Sequence, residues 1–177
     1  VLLDKGTNRQ QFLQGTVDKY TWQGHGSSFG LSDLLAAYLA SQFEHADKIR
    51  AQRRAVATLY AELLEPKAED LGLRLISVPE NATPADHMFF VILPDAAKRA
   101  QVISAMRDQD VNPAFHYVPL HSAPGAAKLV DSYQDCPVTD DVSARLLRLP
   151  FYNALSDDEI RTVVDALEIA IIQSGDV

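Results

Sequence analysis

Residues 15–50 read GTVDKYTWQGHGSSFGLSDLLAAYLASQFEHADKIR. They join a loop dense in reactive side chains to an amphipathic helix. The junction is Gly26-Ser27-Ser28-Phe29-Gly30-Leu31-Ser32-Asp33. Small residues and hydroxyls meet a helix start here, where unsatisfied N–H groups and the positive end of the helix dipole favour an anion. A phosphate suits such a place, and so does a plain cap and turn. The fixed spacing of a phosphate-binding fingerprint is absent.

The helix follows from periodicity. Leu31, Leu34, Leu35, Tyr38, Leu39, Gln42, Phe43, Ala46 and Ile49 recur at helical spacing and make one stripe. Ser32 is placed to cap its start, and Asp33 suits the first turn. The pattern resumes through Val56, Leu59, Tyr60, Leu63 and Leu64 and stops at Pro66, which predicts one long helix over residues 31–65. So broad an apolar stripe is expected to pack against a large body, either another domain or another subunit.

C-terminal to the helix, a small α+β layer is expected. Leu73 to Pro79 alternates like an edge strand, and His87 to Leu93 is a short, aromatic-rich run that reads as a buried central strand. Asp95 opens a helix with Ala100, Val102, Ile103 and Met106 inside, and residues 112–117 form a third candidate strand. Residues 118–133 read as irregular or weakly helical. A helix opening at Thr139 is expected to hold Val142, Leu146 and Leu147, with residues 149–152 extended. Ser156-Asp157-Asp158-Glu159 is a full capping box, with Leu155 and Ile160 at the spacing of a hydrophobic staple. It starts a final helix with Ile160, Val163, Val164, Leu167 and Ile171 on one face.

The 177 residues suit one ordinary domain, and 47% apolar side chains can fill a core. A net charge of −8, spread along the chain, argues against a nucleic-acid surface. Cys136 is the only cysteine, so no intrachain disulfide can form. One cysteine and no leader-like segment suit a cytoplasmic protein, and no apolar run approaches membrane-spanning length. The opening VLLDKGTNR reads as a buried strand running into a polar loop. A chain that starts inside a packed strand is expected to be part of a longer protein.

Few residues announce chemistry by spacing. His116 and His121 lie close in FHYVPLH, but no third ligand makes a metal site. That segment holds two imidazoles and the phenol of Tyr117 at a strand end, which suits either a binding site or a solvated loop. Lys19, Tyr20 and Trp22 offer a stacking and hydrogen-bonding surface, or an anchor for their loop. The planar fork of Arg9 suits a carboxylate or phosphate, and equally open solvent.

Taken in order, KGTNR, F-x-x-G-x-VDKYTW, GSS-x-x-x-SDL-x-AAYL-x-x-Q-x-E-x-A-x-x-I, HMF, FHY-x-PLH and RLLRLP-x-Y resemble the sugar-nucleotide aminotransferases of the DegT/DnrJ type. The resemblance runs from Val1 to about Val164. It implies an α/β enzyme of the aspartate-aminotransferase fold, dependent on pyridoxal 5'-phosphate (PLP), of which this chain is the C-terminal part. Residues 1–30 would end the PLP-binding large domain, residues 31–65 would be the interdomain helix, and residues 66–177 the small α+β domain.

The resemblance further implies transamination of a dTDP-linked 4-keto-6-deoxy sugar with glutamate as amino donor, in cell-surface polysaccharide biosynthesis, by a homodimer that shares its active sites. Ser27 and Ser28 would contact the cofactor phosphate across the dimer. Ser28 stands where many relatives have asparagine. Arg9, Lys19, Tyr20, Trp22, Tyr117 and His121 would line the sugar-nucleotide side. No catalytic residue and no metal ligand is assigned, because the lysine that holds the cofactor lies upstream in the family and none of Lys5, Lys19, Lys48, Lys67, Lys98 or Lys128 matches it. Gln23-Gly24-His25 and Gly30 depart from the family pattern and bear on substrate choice. Two other readings stay open: a PLP- or PMP-dependent sugar dehydratase of the same superfamily, with histidine in place of the lysine, and a non-enzymatic binding module.

Overall fold

A computed structural model describes residues 5–19, 21–128 and 135–175. The opening strand expected from Val1, the ring of Tyr20 and the end of the irregular segment lie outside these residues. The chain divides into two compact units, Val1–Ala46 and Asp47–Val177.

In the first unit, two extended segments pair. Thr7 bridges Trp22 in antiparallel fashion. The Gln23 and Gly24 N–H groups donate to the Gly6 carbonyl at 2.6 and 3.1 Å, and Lys5 N–H donates to the Ser27 carbonyl at 3.2 Å. Between these segments runs the short helix α1 (Arg9–Leu13). After the serine loop comes α2 (Asp33–Phe43). Ser32 caps it as its sequence predicts, its Oγ accepting from Leu35 N–H at 3.3 Å.

The single helix expected over residues 31–65 is two helices. The ladder of α2 ends as His45 N–H reaches back only to the Gln42 carbonyl, and α3 (Ala46–Leu64) begins afresh. Neither proline nor glycine marks the break, and the apolar spacing runs through it, so periodicity alone cannot reveal it. α3 continues into a 3-10 turn at Glu65–Lys67, where Pro66 ends the ladder.

The second unit is built on one antiparallel pair, β1 (Phe89–Ile92) with β2 (Leu146–Leu149), in the register Phe89↔Leu149, Val91↔Leu147. Alternation sends Phe89, Val91, Leu147 and Leu149 to one buried face and Phe90 and Arg148 to the other. Single bridges flank the pair, Arg74↔Ile92 on one edge and Ala114↔Arg148 on the other. The two outer strands expected at residues 73–79 and 112–117 therefore shrink to one bridge each. Pro79 and Pro113 lack the N–H groups that a longer ladder needs.

Between the strands lie α4 (Arg99–Arg107) and α5 (Pro137–Arg145), and α6 (Asp157–Gly175) closes the unit. Leu146 and Leu147, expected on a helix, belong to β2, and α5 starts two residues before Thr139. Val142 lies on α5 as its spacing predicts, whereas burial opposite Val91 places Leu147 in the strand. The capping box forms in full: Ser156 N–H donates to Glu159 Oε2 at 2.8 Å, and Glu159 N–H donates to Ser156 Oγ at 3.3 Å.

The core joins Val56, Tyr60 and Leu64 of α3, Val102 and Met106 of α4, the inner face of the strand pair, and Ile160, Val163, Val164, Leu167 and Ala170 of α6. Tyr60 is fully buried, stacks on Phe89 with ring centroids 5.0 Å apart, and donates its hydroxyl to the Pro150 carbonyl at 2.8 Å. Burial, with a smaller push from Tyr152, raises its phenol well above the ordinary tyrosine range. A phenol with a raised folded-state value contributes stability that is complete below the unfolded value and lost as pH climbs. Tyr60→Phe is expected to lower the unfolding free energy at neutral pH by about 1 kcal/mol, the worth of the lost hydrogen bond. It should also flatten the loss of stability above about pH 10. Urea melts of both proteins across pH 7–11 check both effects.

Candidate functional site

The first unit holds five of the described candidate residues, and its paired segments position three of them, Arg9, Trp22 and Ser27. Arg9 opens α1 directly after the paired segment KGTN, and Trp22 stands opposite Thr7. Asn8 clamps the pairing, its carboxamide oxygen accepting from Thr21 N–H at 2.7 Å. Ser27 is tied in through its carbonyl, which takes N–H bonds from Lys5 and from Phe29 at 3.2 and 3.1 Å. The side chains of Arg9, Lys19, Trp22, Ser27 and Ser28 are all exposed, with Trp22 at 73%.

Gly6 makes this pairing possible. It adopts φ +74°, and a Cβ there would lie 1.7 Å from the Gly24 carbonyl oxygen. Only glycine allows the backbones of KGTNR and TWQGHGSS to approach this closely.

Ser27 and Ser28 run into the capped start of α2. Ser32 Oγ serves the Leu35 N–H, and the amides of Asp33 and Leu34 precede the first intrahelical bond.

The second unit carries the other candidates. The FHYVPLH segment leaves the strand pair just after the Ala114↔Arg148 bridge and ends in a 3-10 turn at Leu120–Ser122. Tyr117 is 71% exposed. His121 is turned inward, its Nε2 lying 3.1 and 3.2 Å from the two carboxylate oxygens of Asp140 on α5. It therefore braces the loop against α5.

His116, which spacing alone leaves idle, has a defined setting. Its Nδ1 is 2.5 Å from Arg148 Nη1. Partial burial first, then the charges of Arg148 and His87, hold the imidazole below the usual histidine range. Arg53 of α3 donates to the His87 carbonyl at 3.1 Å and lies over the Phe151 ring, 5.5 Å from its centroid. Arg148 could have been found in the sequence: it is the charged residue inside LLRL, where alternation places it on the face away from the core.

A cavity of about 410 Å³ lies between α3 and residues 76–90, lined by Ala57, Ala61, Ile76, Val78 and Phe90, with the Arg54–Asp86 ion pair at its wall. None of the candidate residues lines it. Among the described residues no group of three or more His, Cys, Asp or Glu is placed to hold a metal, and no helix is long and apolar enough to cross a membrane.

Solved sugar aminotransferases share this fold. Aminotransferase TlmJ from Streptoalloteichus hindustanus matches with a TM-score of 0.79 at 21% identity, over 97% of this chain and 43% of its own. The sugar aminotransferase Spr1654 from Streptococcus pneumoniae, solved in its PLP form and in a PMP form, matches with a TM-score of 0.77 at 14% identity, over 98% of this chain and 42% and 44% of those two chains. The chain belongs to the DegT/DnrJ/EryC1/StrS aminotransferase family, whose pattern it matches over residues 2–168. Among curated relatives, a dTDP-3-amino-3,4,6-trideoxy-alpha-D-glucose transaminase from Micromonospora megalomicea subsp. nigra is 29% identical over 150 residues, 84% of this chain and 39% of that protein. The chain spans about two fifths of the length of the curated relatives it matches.

Replacing Gly6 by alanine tests the first unit directly. The added methyl must displace the Gly24 carbonyl, so Gly6→Ala is expected to open the 5–30 region while the second unit keeps its melting point. Hydrogen exchange at the Gln23 and Gly24 amides should accelerate by at least about tenfold, the change that a local loss near 1.4 kcal/mol produces.

Proposed function

We propose that this chain is the C-terminal part of a PLP-dependent sugar-nucleotide aminotransferase. It would comprise the end of the cofactor-binding domain and the whole small domain. The substrate is a dTDP-linked 4-keto-6-deoxy sugar, as for the dTDP-4-amino-4,6-dideoxygalactose transaminases, with glutamate as amino donor, in cytoplasmic synthesis of cell-surface polysaccharide. The observation that carries this reading is the family match across residues 2–168, together with the dTDP-sugar transaminase among the relatives.

PLP, when bound, is the electron sink that lets an amino group pass between an amino acid and a keto sugar. This chain's own part is binding and orientation. Ser27, Ser28 and the first-turn amides of α2 hold the cofactor phosphate of the neighbouring subunit in a homodimer. Ser28 supplies a hydroxyl where many family members use an amide. Arg9, Lys19, Tyr20 and Trp22 face the same shared site. Tyr117 borders the sugar nucleotide, and His121 keeps the loop that carries Tyr117 in place through Asp140.

The lysine that holds the cofactor lies outside these 177 residues in this reading. Borohydride reduction of the PLP-loaded full-length protein, followed by peptide mass mapping, is expected to leave the cofactor on one lysine that is not Lys5, Lys19, Lys48, Lys67, Lys98 or Lys128. Stoichiometric label on any of these six overturns the assignment. No label on any lysine favours the dehydratase. Ser28→Ala in the full-length protein should weaken PLP binding about tenfold, the worth of one hydrogen bond to a charged group. Light scattering should give a dimer, and an active monomer defeats the shared site.

A further inference from the structure

Arg148 is an odd residue for its place. It sits in the middle of β2, opposite Phe90, on the face away from the core. Its backbone already does structural work, exchanging two hydrogen bonds with Ala114 at 3.0 and 2.7 Å. Any residue but proline could make those bonds. Its side chain is different: Nε is buried and has no hydrogen-bond partner among the described residues. A buried, unanswered N–H costs stability, so packing alone is a poor account of an arginine here. What the guanidinium does make is the contact from Nη1 to His116 Nδ1 at 2.5 Å.

That contact has one chemical meaning. A guanidinium only donates and stays charged at any pH a protein meets. The Nδ1 atom must therefore present its lone pair. An imidazole that accepts at Nδ1 is neutral, and its single proton is on Nε2. The other titratable neighbour that acts on the ring is His87, just before β1, and Tyr117 lies against it as the next residue.

We propose that Arg148 is a positioning residue that fixes His116 as the Nε2–H tautomer, so that His116 serves the FHYVPLH surface as a hydrogen-bond donor and not as a proton acceptor. This assignment rests on the reading that FHYVPLH borders the sugar nucleotide only for the identity of the acceptor, an oxygen of the nucleotide sugar. The tautomer follows from the chain alone. Opposing charge from Arg148 and His87 strengthens the bias, since both disfavour a second proton on the ring.

The test is long-range proton–nitrogen correlation NMR on the nitrogen-15-labelled full-length protein, with His116 assigned by comparison with His116→Gln. At neutral pH, Nδ1 should resonate as the unprotonated nitrogen and Nε2 as the protonated one. Arg148→Leu should give a mixture of both tautomers and raise the titration midpoint of His116 by about one pH unit, the usual effect of removing a close like charge. Arg148→Gln keeps a neutral donor, so it should restore the Nε2–H tautomer while the midpoint stays raised. An Nδ1–H tautomer in the unaltered chain overturns the proposal. So does an Arg148→Leu protein that is folded, by its amide spectrum, with His116 unchanged. If Arg148→Leu fails to fold, Arg148→Gln and the unaltered chain decide alone. These outcomes do not involve cofactor or substrate, so they are independent of whether the aminotransferase reading stands.

Discussion

The second unit depends on the pairing of Val91 with Leu147. Both are fully buried and stand opposite each other in the antiparallel pair. This register fixes which side chains enter the core, because a slip of one residue would send Arg148 inward and Leu147 out. Helices α3, α4 and α6 then have one apolar face to cover. Tyr60 ties α3 to that face twice, by stacking on Phe89 and by its hydroxyl bond to Pro150 just past β2. The same alternation puts Phe90 and Arg148 on the opposite face, where FHYVPLH passes. Core and candidate surface are thus two sides of one choice of register.

The sequence was legible where a local signal and burial agree. Ser32 and the Ser156–Glu159 box cap the helices that their side chains predict. The run at residues 89–92 becomes a buried strand because its aromatic and β-branched residues have both a partner strand and helices to cover it. Signals that rest on spacing alone did less well. Leu146 and Leu147 continue a helical pattern in sequence, yet the antiparallel partner claims them. The break at Glu44 and His45 has no breaker residue, so it follows from the end of a hydrogen-bond ladder that no residue type announces.

The candidate residues divide in the same way. Gly6 and Asn8 organise the first unit through backbone approach and a carboxamide clamp, properties that appear only once two distant segments are paired. The family motifs single out Tyr117 and His121 of FHYVPLH, but not which imidazole is tied down. His121 is spoken for by Asp140, and His116 is governed by an arginine 32 residues away. Long-range partners of this kind leave no local trace, so the roles of two histidines in one short motif separate only in three dimensions.

The apolar stripe of α2 has a consequence for the stability of the helix itself. Leu34, Leu35, Tyr38 and Phe43 are covered by nothing within this chain's described residues, with Leu34 exposed at 81% and Phe43 at 68%. An eleven-residue helix gains little from its own hydrogen bonds, because nucleation is costly and short helices are marginal in water. Its stability must come from whatever covers those side chains. Helix formation in α2 and the covering of its stripe are then one cooperative event.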